Sequence, residues 1–331
     1  MTTEYESVLS GEDLRKRYKV TAGLTAPAGM LTALDGVSLE LRRGEILGIA
    51  GESGCGKSTL GKILAGLVTM DGGQVQYHGT TVTGLSSAAR ADFRRQTQMI
   101  FQDPFSSLNP RMRVGDIIAE PLVIARSGDA ASRRGSVEDI MAKVGLPAEH
   151  INRFPHEFSG GQRQRIGIAR ALAASPEIII ADEPVSSLDV SIQAQIINLL
   201  QEMKSAYDLS LMIISHDLSV LRHICDRIII MYLGIVVESA PASMLFRRCL
   251  HPYTEALISA IPKINRKQDE KGLLLQGDIP SPLAIPSGCR FHPRCRYAQD
   301  ICRRQTPGLD EKLPSHHAAC HFSESLYLSG T

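Results

Sequence analysis

The sequence shows no excess of charge of either sign. Its 331 residues include 36 lysines and arginines and 35 aspartates and glutamates, so the formal net charge is +1. A protein that is drawn to nucleic acid over long range carries a strongly basic surface. Bulk charge therefore indicates no nucleic-acid partner.

Long hydrophobic runs are also missing. The most continuous apolar stretch, residues 228–237, is interrupted by Tyr232 and Gly234 and has about half of the roughly 20 residues that cross a bilayer. The N-terminal segment contains acidic residues and no apolar core of the signal-peptide kind. We therefore expect a chain that does not span a membrane, and we expect it in the cytoplasm.

The sequence does contain enough apolar residues for a sizeable core. Hydrophobic residues make up 43% and charged residues 21%, which is close to the average for soluble globular proteins. A single core stops growing at roughly 250 to 300 residues, so we predict one main domain followed by a tail. We place the domain at residues 1–250 and the tail at residues 251–331.

The order of apolar segments predicts an α/β fold. Residues 33–67 read as a strand, an apolar strand, a glycine-rich turn and a helix, the start of a parallel α/β unit. A hairpin of β-forming residues is expected around His78 and Gly79. The sequence thus predicts a small antiparallel element in addition to a parallel sheet.

Later segments continue this pattern. Residues from about 104 to 174 read as a helical insertion. The stretches 176–184 and 209–217 read as buried parallel strands with polar residues at their carboxyl ends. The helix between them has an apolar face formed by Ile192, Ile196, Leu199, Leu200 and Met203. We predict a final hairpin at residues 226–237.

A phosphate-binding loop is the strongest local signal. Residues 51–59 match G-x-x-x-x-G-K-[ST] and lie between an apolar strand and a helix, where that motif belongs. Its glycines let backbone N–H groups point at a phosphate chain. Lys57 offers a charge to the β- and γ-phosphates, and Ser58 offers a hydroxyl to Mg²⁺. The candidate ATP-binding residues here are Gly51, Glu52, Ser53, Gly54, Cys55, Gly56, Lys57, Ser58 and Thr59.

A glycine-rich turn that only resembles such a loop is the alternative, and the flanking strand and helix argue against it. The predicted fold class is therefore an α/β P-loop NTPase core with a helical insertion and a cysteine-containing tail.

Cys55 precedes a helix N-terminus, a position that would lower the pKa of its thiol. A weak redox-sensing role follows as a possibility.

Two carboxylates emerge at the end of the apolar run 178–181. Asp182 is placed to hold Mg²⁺ directly or through water, and Glu183 is the natural group to orient or deprotonate an attacking water. A helix-capping or ion-paired acid pair is the alternative. In company with the phosphate-binding loop, the catalytic interpretation is favoured.

The segment Phe158-Ser-Gly-Gly-Gln-Arg-Gln-Arg resembles the signature motif of ABC transporter ATPases. Five motifs occur in that family's order across residues 12–250, although the family usually has leucine at the place of Phe158. The resemblance implies that the signature of one subunit covers the γ-phosphate held by its partner's P-loop, so that ATP lies at a dimer interface. The signature residues are Ser159, Gly160, Gly161 and Gln162.

The same resemblance implies four further roles. Tyr18 corresponds to the aromatic residue that stacks on adenine, although an ordinary strand tyrosine is the alternative. Gln102 corresponds to the glutamine that touches Mg²⁺ and the attacking water. Asp189 corresponds to the loop residue that contacts the other subunit, and His216 to the switch histidine at the γ-phosphate. A competent ATPase is expected, with Glu183, His216 and Gln102 as its catalytic residues.

Segments up to about residue 321 resemble, more closely, the ATPase subunits of oligopeptide and dipeptide importers. They include 108–122, 186–200, 251–262 and 287–295, and in that group the tail carries a cysteine motif. Here the motif is formed by Cys289, Cys295, Cys302 and Cys320.

Four thiolates can hold Zn²⁺ or a [4Fe–4S] cluster. Structural zinc sites usually contain short C-x₂₋₄-C pairs, and the longer spacings here favour the cluster over zinc. Nearby arginines could offset its negative charge, and histidines keep a mixed ligand set open. The arginines are Arg290, Arg294, Arg296, Arg303 and Arg304, and the histidines are His292, His316, His317 and His321. Four free buried thiols are the remaining alternative.

The resemblance implies an importer ATPase on the cytoplasmic face of the inner or plasma membrane. Its partners would be a related or identical second ATPase, two membrane-spanning permease subunits and, indirectly, an extracytoplasmic solute-binding protein, with no nucleic acid. The alternative function is a soluble ABC ATPase that acts on ribosomes or DNA. A metal-storage or regulatory module is a third interpretation, which leaves the catalytic motifs unexplained.

Overall fold

The computed structural model describes residues 6–21, 29–103, 107–186, 188–261, 277–326 and 328. The chain forms two compact units. The first comprises Met1–Val8, Leu41–Glu45 and Tyr77–Ile214, and the second comprises Leu9–Glu40, Ile46–Gln76 and Ser215–Thr331.

The described strands are, in chain order, β1 (Ser7–Val20), β2 (Gly29–Arg42), β3 (Ile46–Ala50), β4 (Gly72–Tyr77), β5 (Thr80–Thr81), β6 (Thr97–Ile100), β7 (Ile178–Asp182), β8 (Ser210–Ser215), β9 (Arg227–Tyr232), β10 (Ile235–Pro241), β11 (Asp310–Leu313) and β12 (His316–Ala318). The described α-helices are α1 (Lys57–Leu64), α2 (Ser87–Gln96), α3 (Val114–Ile124), α4 (Ala130–Lys143), α5 (Gly160–Ala173), α6 (Val190–Tyr207), α7 (Leu218–Ile224), α8 (Ala242–Arg247), α9 (Pro252–Ser259) and α10 (Asp300–Arg304). None of these helices is both long and apolar enough to cross a bilayer.

In the first unit, β6, β7 and β8 form a parallel ladder. Ile100 is opposite Ala181, and Asp182 is opposite Ile214. Every residue of β7 and β8 is buried, as expected for parallel strands covered on both faces. The crossover β7–α6–β8 confirms the predicted parallel unit.

Helix α6 packs mainly through the predicted apolar face. Ile196, Leu199, Leu200 and Met203 are buried, whereas Ile192 is only half-buried. Helices α3, α4 and α5 pack against one another and confirm the helical insertion. Its first residues, 104–106, lie outside the described residues.

In the second unit, β3 pairs in parallel with β9, and β9 pairs antiparallel with β10. Strand β1 lies between β2 and β4 in another sheet. The hairpin predicted at residues 226–237 is present, but the prediction that it is the last one was wrong. The tail contributes a further hairpin, β11–β12, and β12 pairs with β10.

A buried carboxylate joins the tail to the preceding chain within this unit. Glu238 is fully buried and accepts hydrogen bonds from the backbone N–H groups of Leu250 and His251 at 2.6 and 3.1 Å. It also lies 2.7 Å from Nε2 of the equally buried His316. A buried carboxylate is tolerable when such partners replace its lost water.

Candidate active site

The predicted phosphate-binding loop connects β3 to α1 in the second unit, and its shape requires glycine at two positions. Gly51 has φ 149° and Gly56 has φ 107°. A Cβ atom on Gly51 would lie 2.2 Å from the carbonyl oxygen of Met231, and one on Gly56 would lie 2.3 Å from that of Ala33. The loop therefore approaches neighbouring backbone more closely than any other residue type allows.

Lys57 is held inside this loop. Its side chain is nearly buried, and Nζ donates to the carbonyl oxygens of Gly51 and Glu52 at 2.6 and 3.0 Å. Because an ammonium group is a compact donor on a flexible stem, it can exchange these carbonyls for phosphate oxygens. Ser58 and Thr59 follow in the first turn of α1, half-exposed, while Ser53 and Gly54 lie exposed at the tip of the loop.

Two loop residues have side chains engaged away from a nucleotide. The carboxylate of Glu52 forms an ion pair with Arg294 of the tail, and its backbone N–H donates to Oη of Tyr253 at 2.8 Å. Cys55 is 4% exposed, and burial raises the pKa of its thiol despite nearby Lys57. The expectation of a lowered thiol pKa was wrong, because desolvation outweighs the positive charge.

The predicted catalytic carboxylates lie at the end of β7 in the first unit. Asp182 is 3% exposed and is the last residue of the strand. Glu183 has φ 46°, and its N–H donates to the carbonyl oxygen of Ile214 at 2.9 Å. Gln102, just beyond β6, donates from Nε2 to a carboxylate oxygen of Glu183 at 2.9 Å. The structure thus places Gln102 and Glu183 together, with Asp182 adjacent in the chain.

The signature segment opens helix α5 in the same unit. Ser159 caps the helix: its Oγ accepts from the N–H of Gln162 at 3.4 Å, and Oε1 of Gln162 accepts from the N–H of Ser159 at 3.0 Å. This reciprocal pair is a capping box. Gly160 and Gly161 form the first turn, and a Cβ atom on Gly161 would lie 2.6 Å from Cγ2 of Ile192. Phe158 is buried, as an apolar residue in the place of leucine should be.

The other predicted residues lie at the ends or on the surface of elements. Tyr18 is on β1 and is 38% exposed, and Nζ of Lys16 lies 5.4 Å from its ring centroid. Asp189 is exposed and immediately precedes α6. His216 is exposed and follows β8 by one residue. These positions leave the three side chains open to solvent.

The four tail cysteines line one cavity in the second unit. Its wall also contains aromatic and histidine side chains. Burial raises the pKa of the Cys295 thiol to about 11 and that of Cys320 to about 12, and it raises the pKa of Cys289. The lining residues are His251, Pro252, Cys289, Phe291, His292, Cys295, Tyr297, Cys302, Cys320, His321, Phe322 and Leu326.

No group of three or more histidine, cysteine, aspartate or glutamate side chains within the described ranges is arranged to hold a metal ion. A tetrahedral zinc site with Zn–S bonds of about 2.3 Å would need its sulfurs roughly 4 Å apart. The cysteines thus share a cavity without converging on a single ion.

Several charged residues predicted to surround the cysteines have other partners. Arg290 is bonded to Asp35 and to the carbonyl oxygen of Leu233. Arg294 pairs with Glu52, and Arg296 lies against the ring of Tyr297. Each of these three guanidinium groups therefore has a partner outside the cysteine set, and their role in offsetting a cluster charge stays a prediction.

The histidines divide in the same way. His316 is bonded to Glu238, and Nε2 of His321 lies 3.0 Å from the carbonyl oxygen of Gln305. Nδ1 of His292 lies 2.9 Å from the carbonyl oxygen of Cys289. His292 and His321 nevertheless line the cysteine cavity, so a mixed ligand set includes these two and not His316.

Two tail residues at the phosphate-binding loop were missed from the sequence. They are Arg294 and Tyr253, whose Oη accepts a hydrogen bond from the N–H of Glu52 at 2.8 Å. A tyrosine in an apolar helix and an arginine in a cysteine-rich segment carry no local signal of such contacts. Their partner lies 201 and 242 positions away in the chain.

Sequence comparison identifies two family regions in the chain. A profile described as ABC transporter matches residues 34–186, and one described as oligopeptide/dipeptide transporter, C-terminal region, matches residues 237–302. The oligopeptide transport ATP-binding protein AppF of Bacillus subtilis is 48% identical over 321 residues, covering 96% of this chain and 98% of the relative. The dipeptide transport ATP-binding protein DppF of Escherichia coli is 46% identical over 309 residues, covering 93% and 92%.

Solved structures agree with these relatives. A dimeric ATP-binding cassette, MJ0796, determined in a post-hydrolysis state with ADP and Pi, superposes with a TM-score of 0.63 at 29% identity, covering 71% of this chain and 98% of that one. The protein cbiO1 from Clostridium perfringens, part of the ABC transporter complex cbiONQ, gives a TM-score of 0.61 at 25% identity, with coverage of 73% and 91%. The predicted α/β cassette is thereby confirmed.

Proposed function

Because the chain belongs to the family of ABC transporter ATP-binding subunits of the oligopeptide/dipeptide type, a family that hydrolyses ATP, we propose that it energises uptake of peptides or related small solutes. The observation that carries this proposal is the near full-length identity to peptide-transport relatives, tail included. Those relatives support the importer function and give no support to the soluble ribosome- or DNA-acting alternative.

In this proposal the phosphate-binding loop holds ATP. Backbone N–H groups of residues 51–59, apart from that of Glu52, which donates to Tyr253, contact phosphate oxygens together with the ammonium of Lys57. Ser58 and Asp182 serve Mg²⁺. Tyr18 stacks on adenine. Ser159, Gly160, Gly161 and Gln162 cover the γ-phosphate of an ATP held by a second subunit, which Asp189 contacts.

Hydrolysis in this proposal depends on the pair at the end of β7. Glu183 orients and deprotonates the attacking water, and Gln102 holds the Glu183 carboxylate through the 2.9 Å hydrogen bond. Oε1 of Gln102 would be the group available to Mg²⁺, and Nε2 would be shared between Glu183 and the attacking water. His216 contacts the γ-phosphate as the switch residue.

The partners of this engine follow from the same family membership. We propose a second ATP-binding subunit, identical or related, and two membrane-spanning permease subunits. The chain would lie peripherally on the cytoplasmic face of the membrane, and an extracytoplasmic solute-binding protein would deliver the solute. The solute does not touch this chain, since it passes through the permease.

Glu183→Gln tests the catalytic assignment. We expect ATPase activity of the full chain to fall by about 100-fold or more, in the range that loss of a general base produces, while ATP binding is retained and an ATP-dependent dimer accumulates in size-exclusion chromatography. Glu202→Gln, at an exposed position of α6, is the matched control with unchanged activity. An active Glu183→Gln variant would exclude Glu183 as the base.

We also propose that Cys289, Cys295, Cys302 and Cys320 hold a [4Fe–4S] cluster, with Zn²⁺ as the alternative. Four cysteines around one enclosed cavity fit a group that takes one thiolate at each of four irons. Such a group would crosslink four points of the tail, and its distance along the chain from the catalytic motifs indicates a structural or sensory role.

Metal analysis of the chain purified without oxygen tests this site. The cluster requires about four irons and four acid-labile sulfides per chain, which Cys295→Ser and Cys302→Ser variants should lose. One zinc per chain without sulfide would establish the alternative. Absence of both metals from folded protein would contradict a metal site.

A further inference from the structure

Two residues of the tail, Arg294 and Tyr253, form hydrogen bonds to one residue of the phosphate-binding loop, Glu52. Nη1 and Nη2 of Arg294 donate to the two carboxylate oxygens of Glu52 at 2.6 and 2.9 Å. The Arg294 side chain is 5% exposed and that of Glu52 is 21% exposed, and the pairing raises the pKa of Arg294. A bidentate pair of this kind fixes orientation as well as distance.

The second contact is made to the backbone. Oη of the fully buried Tyr253 accepts the hydrogen bond from the N–H of Glu52. The Tyr253 ring packs against Tyr232 and Phe291, with centroids 4.7 and 5.3 Å away. The position of this hydroxyl is therefore set by an aromatic cluster that includes a tail residue, Phe291.

The third polar group of Glu52 connects it to the residue that matters most for phosphate binding. Its carbonyl oxygen accepts from Nζ of Lys57 at 3.0 Å. The N–H of Cys55 donates to the same oxygen at 3.3 Å. All three polar groups of Glu52 thus have partners: the carboxylate and the N–H are held by the chain beyond residue 250, and the carbonyl oxygen by the loop itself. A movement of Arg294 would therefore be transmitted to Lys57 through one residue, Glu52.

Tail residues also reach the tip of the loop. Ile279, Pro280, Ser281 and Pro282 line a cavity together with Glu52, Ser53, Gly54 and Cys55. The N–H of Thr32 donates to the carbonyl oxygen of Pro282 at 3.3 Å, which ties this tail segment to β2. The tail therefore approaches the loop through three segments, at Tyr253, at residues 279–282 and at Arg294.

We propose that Arg294 is a positioning residue for the phosphate-binding loop, so that the conformation of the cysteine-bearing tail sets the affinity for ATP. This inference rests on the proposed function of the loop as the ATP site. Arg294 does not touch ATP; it acts by holding Glu52. Arg294 also immediately precedes Cys295, so any group that fixes the position of this cysteine also fixes the backbone from which Arg294 reaches Glu52.

The test measures the Kd for ATP with Mg²⁺ on the full chain by calorimetry, and kcat at saturating ATP. Arg294→Met keeps the approximate length and apolar packing of the side chain and removes the guanidinium group that forms the two hydrogen bonds to Glu52. We expect the Kd to rise by about tenfold to 100-fold, the effect of a small misplacement of binding groups, while kcat changes by less than about threefold. A purely structural role would instead lower the melting temperature and the active fraction, with the Kd of the folded fraction unchanged.

Two further variants isolate the pair. Glu52→Gln breaks it from the other side, and the double variant Glu52→Gln with Arg294→Met should be no worse than Arg294→Met alone if the residues act through each other. Arg294→Lys, which keeps the charge without the guanidinium group, should recover part of the affinity. Additive effects on the Kd would overturn the inference.

The controls separate this inference from the function on which it rests. Lys312→Met removes a tail cation that pairs with Asp310 at 3.4 Å and should leave the Kd unchanged. Lys57→Ala should abolish ATP binding. If Lys57→Ala still binds ATP, the proposed ATP site is wrong; if it does not, and Arg294→Met binds like wild type, only the role of Arg294 is wrong.

Discussion

The phosphate-binding loop and the signature segment are both helix N-termini that offer backbone N–H groups, yet they are built differently. The loop has a nearly buried lysine, two glycines pressed against neighbouring backbone, and a residue held by the tail. The start of α5 has an exposed Ser159 whose capping bonds involve Gln162, three residues away. The phosphate-binding loop is fixed by parts of its unit that are distant in sequence, whereas the start of α5 is fixed by hydrogen bonds within the signature segment.

This difference matches the different roles that the proposed function gives to the two motifs. A loop that must hold phosphates in its own chain gains from being preorganised, since ordering at the moment of binding costs affinity. In the proposed function the signature segment meets ATP only through a second subunit, so it has to stay open to that subunit. We therefore expect changes near the loop to act on ATP affinity in the single chain, and changes at α5 to act on the closed dimer.

Gly51→Ala should produce the largest loss. Its Cβ atom would lie 2.2 Å from the carbonyl oxygen of Met231, so the loop must move, and we expect ATP affinity to fall by about 100-fold or more. Gly44→Ala is the matched control, because Gly44 also has a positive φ but no atom within 4 Å of the added Cβ. Equal affinities for ATP in the two variants, measured by calorimetry, would refute the packing argument.

Glu238→Ala should cause the next largest effect, on stability. It leaves the N–H groups of Leu250 and His251 and the side chain of His316 without their buried acceptor, which costs roughly 3 to 5 kcal/mol of unfolding free energy. Denaturant unfolding followed by circular dichroism measures this loss. Asp310→Ala, which breaks an exposed ion pair, should change the free energy by less than about 1 kcal/mol.

A smaller effect should appear on acidification. Burial lowers the pKa of His251 to about 3, below the value of about 6.5 in an unfolded chain. The unfolded state therefore binds more protons below pH 6.5, and stability falls as the pH falls, by about 1.4 kcal/mol per unit. Between pH 6.5 and 5 we expect His251 to account for a loss of about 2 kcal/mol.

His251→Asn keeps an acceptor for the N–H of Tyr253, which now donates to Nδ1 of His251 at 3.0 Å, and it should remove this part of the pH dependence. His223→Asn at an exposed position should leave the pH dependence as in wild type. Parallel pH curves for wild type and His251→Asn would show that the histidine does not contribute.

Ser159→Ala should have the smallest effect on stability, about 1 kcal/mol for a lost helix cap. We expect Ser159→Ala to lower ATP turnover by more than this loss of stability accounts for, while ATP binding by the single chain stays at the wild-type level. Asp129→Ala is the matched control, because Asp129 caps α4 through a 2.8 Å hydrogen bond to the N–H of Ser132. A Ser159→Ala variant with weakened monomer binding would erase the distinction between the two helix starts.

Local patterns were sufficient for the parts of the molecule that local chemistry determines. The glycine and lysine spacing of residues 51–59, the apolar run before Asp182 and the face of α6 predicted the strand–loop–helix units and the position of the carboxylates. The pairing of β12 with β10 could not be predicted, because its short segment, His316–Ala318, has no strand pattern. The same holds for the pair of Arg294 and Glu52, since long-range ion pairs leave no periodic trace.

The strand pairing of the tail has a consequence for the chain's solubility. Without β12, the backbone N–H and C=O groups of β10 would form an open edge of the kind that recruits other chains into aggregates. In the part of the chain that the structure describes, the outermost strand on this side is β11, which is only four residues long and carries Asp310, Glu311 and Lys312. A short, charged edge strand discourages strand pairing with another molecule, so residues 310–318 protect this sheet edge against edge-to-edge aggregation.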